Sequence, residues 1–272
     1  MKISPAAKKK FQKEIWSYYK DHRRDLPWRR THDPYKIFVS EVMLQQTQVA
    51  RVVPKYTSFL KRFPNFLALA RASSRDVLKE WQGMGYNRRA LALKRAAEVI
   101  VKEYKGKLPG TIEELSLLPG VGKATAGAIL AYAFEAPAPF IETNIRRAFI
   151  YFFFPRAKKV KDERILELIA ALVDKKHPRG WYYAVVDFGA YLGNKKENPN
   201  RKSAHYRKQA PFKGSLREVR GMIVKLLLDR KEITLPVLFR TLSAPRTKIE
   251  DAIEALLREG FLVKKKDKVR VL

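Results

Sequence analysis

The stretch "LSLLPGVGKATAGAIL", Leu115 to Leu130, sets the tightest limit on how this chain can fold. Two apolar helical runs are broken by Pro-Gly-Val-Gly and resume at once. Gly120 and Gly122 can take positive φ, or allow a close backbone approach, without the steric penalty a side chain brings. The run "KATAGAILAYAF" that follows is a strong helix former with small residues suited to tight packing. Such a turn leaves backbone N–H groups pointing outward from a helix N-terminus, where an anion can bind. A DNA phosphate suits that site and demands no particular base sequence.

Charge narrows the choice of anion. The 272 residues carry 57 Lys and Arg against 27 Asp and Glu, a formal net charge of +30. A protein this basic repels itself unless it meets a polyanion. Nucleic acid is the default partner, because each neutralised phosphate releases condensed counterions. An anionic membrane is the rival, but no apolar run approaches the roughly 18 residues of a membrane span. The N-terminus lacks a signal-peptide h-region, so an intracellular protein is expected. With no cysteine in the sequence, disulfides, thiolate zinc sites and iron–sulfur clusters are excluded. Four His are too few for a His-rich metal site. The Lys/Glu-rich, cysteine-free composition is in keeping with a thermophilic source.

Helical spacing dominates up to residue 193, with some ten helices read there and short Pro/Gly connections such as "QGMGYN", "KGKLPG" and "EAPAP". No sustained strand alternation interrupts them, so residues 1–193 are read as an all-α domain. Residues 194–213, "NKKENPNRKSAHYRKQAPFK", are basic without apolar periodicity and read as a linker or long surface loop. Residues 214–272 run helix, short strand "EITL", two helices and a basic hairpin with Lys266 and Asp267 at its tip. That order resembles a winged-helix domain, a small α+β module whose third helix, here Pro245 to Glu259, usually enters the major groove. Glu250, Asp251, Glu254 and Glu259 on that helix favour instead a module that packs on the main domain or binds a protein.

"LPGVGKATAGAIL" resembles the helix-hairpin-helix of the base-excision DNA glycosylases, the HhH-GPD superfamily. Upstream, "DLPWRRTHDPYKIFVSEVMLQQTQVARVVPKY" resembles the opening of the MutY-type adenine glycosylases, and "WQGMGYNRRALALKRAA" their next segment. The pattern continues through "VVDFGAYLG". The resemblance implies a two-lobed helical HhH-GPD glycosylase fold acting on double-stranded DNA, as a monomer, with the winged-helix-like domain appended. The sequence departs from this family where the four-cysteine cluster loop after "DFGA" is replaced by "YLGNKKENPNRKSAHYRK".

Breaking an N-glycosidic bond builds positive charge on the deoxyribose and negative charge on the departing base. A carboxylate near the sugar and a proton donor at the base meet both needs. By resemblance Glu41, in "SEVMLQQT", is the base-side acid, and burial would raise its pKa towards a useful range; a structural carboxylate is the alternative. Glu142, in "PFIETNIRRAF", stands where most of the family has Asp. A carboxylate displaced by one methylene can still stabilise the sugar cation, or it can mark an altered mechanism or lost activity. Asn144 matches the companion Asn that supports the local loop. Ala124 occupies the position at which bifunctional relatives carry a Lys nucleophile, so base removal without efficient strand cleavage is expected.

Extrusion of the base needs a plug in the vacated stack. Gln46 is the implied wedge with Gln45 beside it, and Tyr86 can stack or insert from the opposite side; packing roles are the alternative for each. Gly120, Gly122, Lys123 and Thr125 of the hairpin are expected to face phosphate. Lys195, Lys196, Arg201 and Lys202 must supply any DNA contact that the missing cluster loop made. The resemblance also implies a monovalent cation, Na+ or K+, at the backbone carbonyls of Leu118 and Val121, and no other cofactor. A deaminated or oxidised pyrimidine of uracil type, such as 5-hydroxyuracil, is the expected substrate, because the last 58 residues do not look like the domain with which adenine enzymes read 8-oxoguanine. Adenine opposite guanine or 8-oxoguanine is the alternative, and a non-catalytic lesion-binding protein the third reading. A repair protein docking on the C-terminal domain is a further expected partner.

Overall fold

A computed structural model describes residues 3–195, 197–208 and 211–272. Up to residue 193 the chain forms α1 (Pro5–His22), α2 (Pro34–Leu44), α3 (Val49–Arg62), α4 (Phe66–Arg71), α5 (Ser74–Glu80) and α6 (Arg88–Glu103). It continues with α7 (Ile112–Leu117), α8 (Lys123–Ala133), α9 (Thr143–Phe153), α10 (Asp162–Leu172) and α11 (Pro178–Gly193). The C-terminal part adds α12 (Leu216–Asp229), β1 (Ile233–Thr234), α13 (Leu235–Thr241), α14 (Arg246–Arg258), β2 (Leu262–Lys265) and β3 (Lys268–Val271). The fold is thus helical with a small α+β portion at its end. No described helix is long and apolar enough to cross a membrane.

Packing groups these elements into two units that cut across the sequence order. One comprises Met1–Val42 and Leu108–Lys208, the other Met43–Lys107 and Gln209–Leu272. The core of the first is aromatic. Phe11 on α1 meets Phe149, Phe153 and Trp181 edge-on, at centroid distances of 5.3, 5.0 and 5.6 Å. Phe11, Ile15, Phe149 and Trp181 are all buried, so α1 covers α9 and α11 with the stripe its periodicity predicts.

The contact of α9 with α11 is close because α11 lacks side chains where it matters. A Cβ on Gly189 would lie 2.0 Å from the main-chain oxygen of Asn144, and one on Gly193 would lie 2.3 Å from the Arg147 guanidinium. The backbone oxygen at Asn144 cannot rotate away, so Gly189→Ala must push the two helices apart. Overpacking of this kind costs about 1–3 kcal/mol or more. The expected result is a lower Tm in thermal unfolding, accompanied by slower turnover, since Asn144 opens the first turn of α9.

Of the segment read as a linker or long surface loop, the described residues 194–195 and 197–208 belong to the first unit. Pro199–Lys202 forms a 3-10 turn capped by Asn198. The buried Asn200 donates from Nδ2 to the Thr143 carbonyl at 3.0 Å. Val160 donates to the Lys202 carbonyl at 2.7 Å, and Ala204 returns a bond to the Val160 carbonyl at 2.8 Å. These amide and main-chain bonds carry no hydrophobic period, which is why the sequence pattern does not reveal them.

In the second unit α6 packs on α4 and α5, and α12 on α14 and α5. The three strands are antiparallel in the order β1-β3-β2, with Leu262 opposite Val271 and Ile233 opposite Val269. Lys266 takes φ +55° at the hairpin tip. Val219, Ile223 and Leu227 on α12 and Ile249, Ile253 and Leu256 on α14 bury the module's own core. Glu259, at the end of α14, is gripped by Arg220 at 2.9 and 2.5 Å and by Arg88 at 2.7 Å. Those guanidiniums hold its carboxyl below the usual range. Glu250, Asp251 and Glu254 remain exposed on the outer face of α14.

Candidate active site

Within the first unit, α7 and α8 form the hairpin, and its turn shows what each glycine does. Gly120 takes φ +80°, so its place needs glycine. Gly122 does not use that freedom: it sits at φ −91° as the N-cap of α8, with no side-chain cap bond. A Cβ there would meet nothing within 4 Å, so bareness, not strain, is what glycine contributes. Gly120, Gly122, Lys123 and Ala124 are exposed and Thr125 is half-buried. The turn therefore presents an open backbone face next to a cation, as a phosphate site requires. The Leu118 carbonyl accepts the Val121 N–H at 3.1 Å.

The two carboxylates singled out in the sequence are brought into one electrostatic environment. Glu41 lies on α2, and Glu142 is the N-cap of α9. The Glu142 Oε1 accepts the backbone N–H groups of Asn144 at 2.8 Å and Ile145 at 2.7 Å, while Oε2 accepts from Asn144 Nδ2 at 3.3 Å. Both residues keep part of their surface accessible. Burial first, and the Glu142 charge second, push the Glu41 carboxyl up to about 8, with Arg29 partly offsetting the rise. Burial also raises Glu142, but the two N–H donors and the charges of Arg147 and Arg146 resist it. Burial thus raises both groups: Glu41 to about 8, so that it is neutral at pH 7, and Glu142 against the pull of its main-chain donors and two arginines.

Residues the sequence reading missed complete the surroundings. Asp187 is buried and takes a bidentate pair from Arg29 at 2.7 and 2.7 Å, plus the Arg24 side chain at 2.5 Å and its N–H at 3.0 Å. The Arg29 guanidinium also lies 4.4 Å from the centre of the Tyr183 ring. Tyr183 stacks on Tyr132 at 4.4 Å with planes 7° apart. Burial raises both phenols well beyond neutrality, and the Glu41 charge adds to it. Tyr183 and Asp187 are one turn apart on α11 and so share a face. The signal was present as "YYAVVD" beside "PWRR", but the two motifs meet only in the folded chain. Asp187→Asn should be costly, because it leaves the Arg29 charge buried without its counter-ion. Breaking a buried pair costs about 3–5 kcal/mol, and denaturant titration should show that loss.

A third set of bonds fixes the start of α9. Arg147 donates to Asn144 Oδ1 at 2.7 Å, to the Gly189 carbonyl at 2.9 Å and to Asn198 Oδ1 at 3.1 Å. Arg147 thus ties Asn144 to α11 and to Asn198, and the Asn198–Asn200 segment is the outer brace of this turn.

The other expected contacts are dispersed. Gln45, Gln46 and Tyr86 fall in the second unit, with Gln46 at φ +53° and Tyr86 at φ +49°. Lys195 places its ammonium 4.5 Å from the Tyr191 ring centre, and Lys202 donates to the Pro155 carbonyl at 2.5 Å. Lys202 is thus engaged in bracing its own loop, whereas Arg201 is exposed. Lys196 lies outside the described residues. A cluster of three or more potential metal ligands does not occur among the described residues.

Residues 39–173 match the model of the HhH-GPD superfamily base excision DNA repair proteins. The chain is 40% identical over 174 residues to an adenine DNA glycosylase of Mycolicibacterium smegmatis, covering 64% of this chain and 57% of that one. An adenine DNA glycosylase of Homo sapiens is 36% identical over 192 residues, with 66% and 35% covered. The chain spans about half the length of the curated relatives it matches, from 50% to 57% of the first three. The solved structure of a thermostable thymine-DNA glycosylase superposes with a TM-score of 0.63 at 27% identity, covering 72% of this chain and 92% of that one. A non-covalent endonuclease III–DNA complex gives a TM-score of 0.62 at 17% identity, with 72% and 91% covered, a likeness of fold.

Proposed function

The chain belongs, through residues 39–173, to the HhH-GPD superfamily of base excision DNA repair proteins, and we propose that it is a monofunctional DNA N-glycosylase. The observation that carries this reading is the pair Glu41 and Glu142, both raised by burial in shared surroundings, with main-chain N–H donors and two arginines at Glu142 that resist its rise. A neutral Glu41 can donate a proton or hydrogen bond to the departing base. An anionic Glu142 stabilises the cationic sugar or orients water. Ala124 offers no amine for a Schiff base, so strand cleavage does not follow base release. Double-stranded DNA is the partner. The bare hairpin at Gly120, Gly122 and Lys123 holds a phosphate, and a monovalent cation at the Leu118 and Val121 carbonyls belongs to the same proposal. Gln46 is the proposed plug.

The proposed substrate is a deaminated or oxidised pyrimidine of uracil type, such as 5-hydroxyuracil. What supports it is coverage: the chain matches 92% of a thymine-DNA glycosylase but only about half of the adenine enzymes. A second reading, adenine opposite guanine or 8-oxoguanine, is favoured by those relatives' names and by Glu41. Adenine is a poor anionic leaving group and needs a proton, which an acid with a pKa near 8 still holds at neutral pH. Duplexes carrying one uracil, 5-hydroxyuracil, mispaired thymine or mispaired adenine, treated with alkali after incubation, separate the readings. Cleavage confined to one group names the substrate. Tight binding with no cleavage of any would make the protein a lesion binder instead.

A further inference from the structure

The small sheet of the C-terminal module carries its charge on one face. In "KKKDKVR", Lys264 to Arg270, five cations accompany a single acid. Side chains alternate across a strand, and the register sets Leu262 opposite Val271, Val263 opposite Arg270 and Lys265 opposite Lys268. Leu262, Val269 and Val271 are buried, so the other face presents Val263, Lys265, Lys268 and Arg270. Those three cations are exposed, as is Lys266 at the tip. Of the four, only Lys268 forms a salt bridge among the described residues, with Glu232 at 2.6 Å.

The hairpin holds these cations against its own local preferences. Lys265 and Lys268 are a directly opposed pair of like charges, which is destabilising. Lys266 keeps left-handed backbone at φ +55°, a place that glycine or asparagine fills more readily. Lysines on an edge strand can block pairing with another chain, and that accounts for β2, which lies at the edge. It does not account for Lys268 and Arg270, because β3 is the middle strand. Local rules broken without a gain in packing mark a functional surface.

The third helix of the module is equipped differently. On α14, Arg246 is paired with Glu250 at 2.9 Å, and Lys248 donates to the Gly214 carbonyl at 2.8 Å. Asp251 and Glu254 stand exposed beside them, with Arg258 at the far end of the helix. A protein partner is ordinarily anchored by aromatic and apolar groups at the centre of its interface. The outer face of the hairpin offers only Val263 for that purpose. A row of cations without an apolar centre suits a phosphate backbone, and a two-stranded ribbon is narrow enough to enter the major groove.

We propose that the β2–β3 hairpin, and not α14, is the element with which the C-terminal module grips duplex DNA, through Lys265, Lys266, Lys268 and Arg270 on its phosphates. The grip is independent of base sequence and separate from base release. This inference rests on the DNA-directed reading above. Fluorescence anisotropy of the full chain on an undamaged duplex, titrated from about 50 to 200 mM salt, tests it. Replacing Lys265, Lys266 and Arg270 together by Gln removes three phosphate contacts. The slope of log affinity against log salt should become shallower by about two to three, and affinity at the lower salt should fall about tenfold or more. Lys266→Gln alone, at the tip, should change the slope by about one. Thermal unfolding controls for folding, and Lys265→Gln should leave Tm unchanged or higher, since it relieves the like-charge pair. Arg246→Gln with Lys248→Gln on α14 should leave the slope as in wild type. A slope that changes with the α14 pair and not with the hairpin would overturn the proposal. So would a hairpin variant that binds duplex like wild type but loses its hold on vesicles containing phosphatidylserine. A wild type that binds no duplex at any salt would instead defeat the DNA-directed reading itself.

Discussion

Glu142→Gln should abolish base release without unfolding the protein. Single-turnover excision is expected to fall by ~10³-fold or more, the scale on which pre-aimed charge acts in a dry site. DNA affinity should stay within a few-fold of wild type. The substitution isolates charge because Gln keeps the Oε1 acceptor that binds the Asn144 and Ile145 N–H groups, so the N-cap of α9 survives. Only the weaker bond from Asn144 Nδ2 at 3.3 Å is lost. Glu142→Ala removes cap and charge together and adds about 1 kcal/mol of instability. Similar rates for wild type and Gln would remove Glu142 from its role at the sugar.

The second large effect is a pH profile with its limb set by Glu41. With a pKa pushed up to about 8, Glu41 is protonated at neutral pH, so excision should hold steady below that value. Above it, the rate should fall about tenfold per pH unit as the proton is lost. Glu41→Gln should lower the plateau by ~10²-fold or more and flatten the limb. The same substitution should stabilise the fold. A carboxyl whose folded pKa lies above its unfolded value costs nothing at pH 4. The cost builds as pH rises through the unfolded value and is complete above about 8. Glu41→Gln removes it, so Tm should rise at pH 8 by several degrees and not at pH 4, with the residue's partial accessibility moderating the gain. A limb that persists in Glu41→Gln would assign the titration to another group.

The features legible in the sequence were those written in short, contiguous motifs. The α7–α8 hairpin, the acids at Glu41 and Glu142, and the order of elements in the C-terminal module all lie within a few residues of their own signals. Features that depend on distant partners were not legible. Arg29 and Asp187 are separated by 158 residues, and nothing local marks either as one half of a buried ion pair. The capping role of Glu142 depends on its extended backbone, at φ −129°, which the motif does not specify. The basic segment after Gly193 lacked apolar periodicity, yet Asn198, Asn200 and Lys202 fold it through main-chain and amide bonds that leave no hydrophobic imprint. Of the two freedoms open to Gly122, positive φ and an uncovered backbone, the sequence does not say which is used, and at φ −91° it is the second.

The interleaved make-up of the two units bears on how the chain folds during synthesis. Residues 1–42 share a unit with 108–208, and residues 43–107 with 209–272. At ~5–20 residues per second, the stripe of Phe11 and Ile15 must wait many seconds for Phe149 and Trp181 to emerge from the ribosome. Until they do, the α1 stripe lacks the rings that cover it, whereas α4, α5 and α6 already have one another. A chain stopped near residue 107 would hold the α1 stripe without Phe149 and Trp181, so an intermediate at that length exposes apolar surface that a chaperone would have to cover.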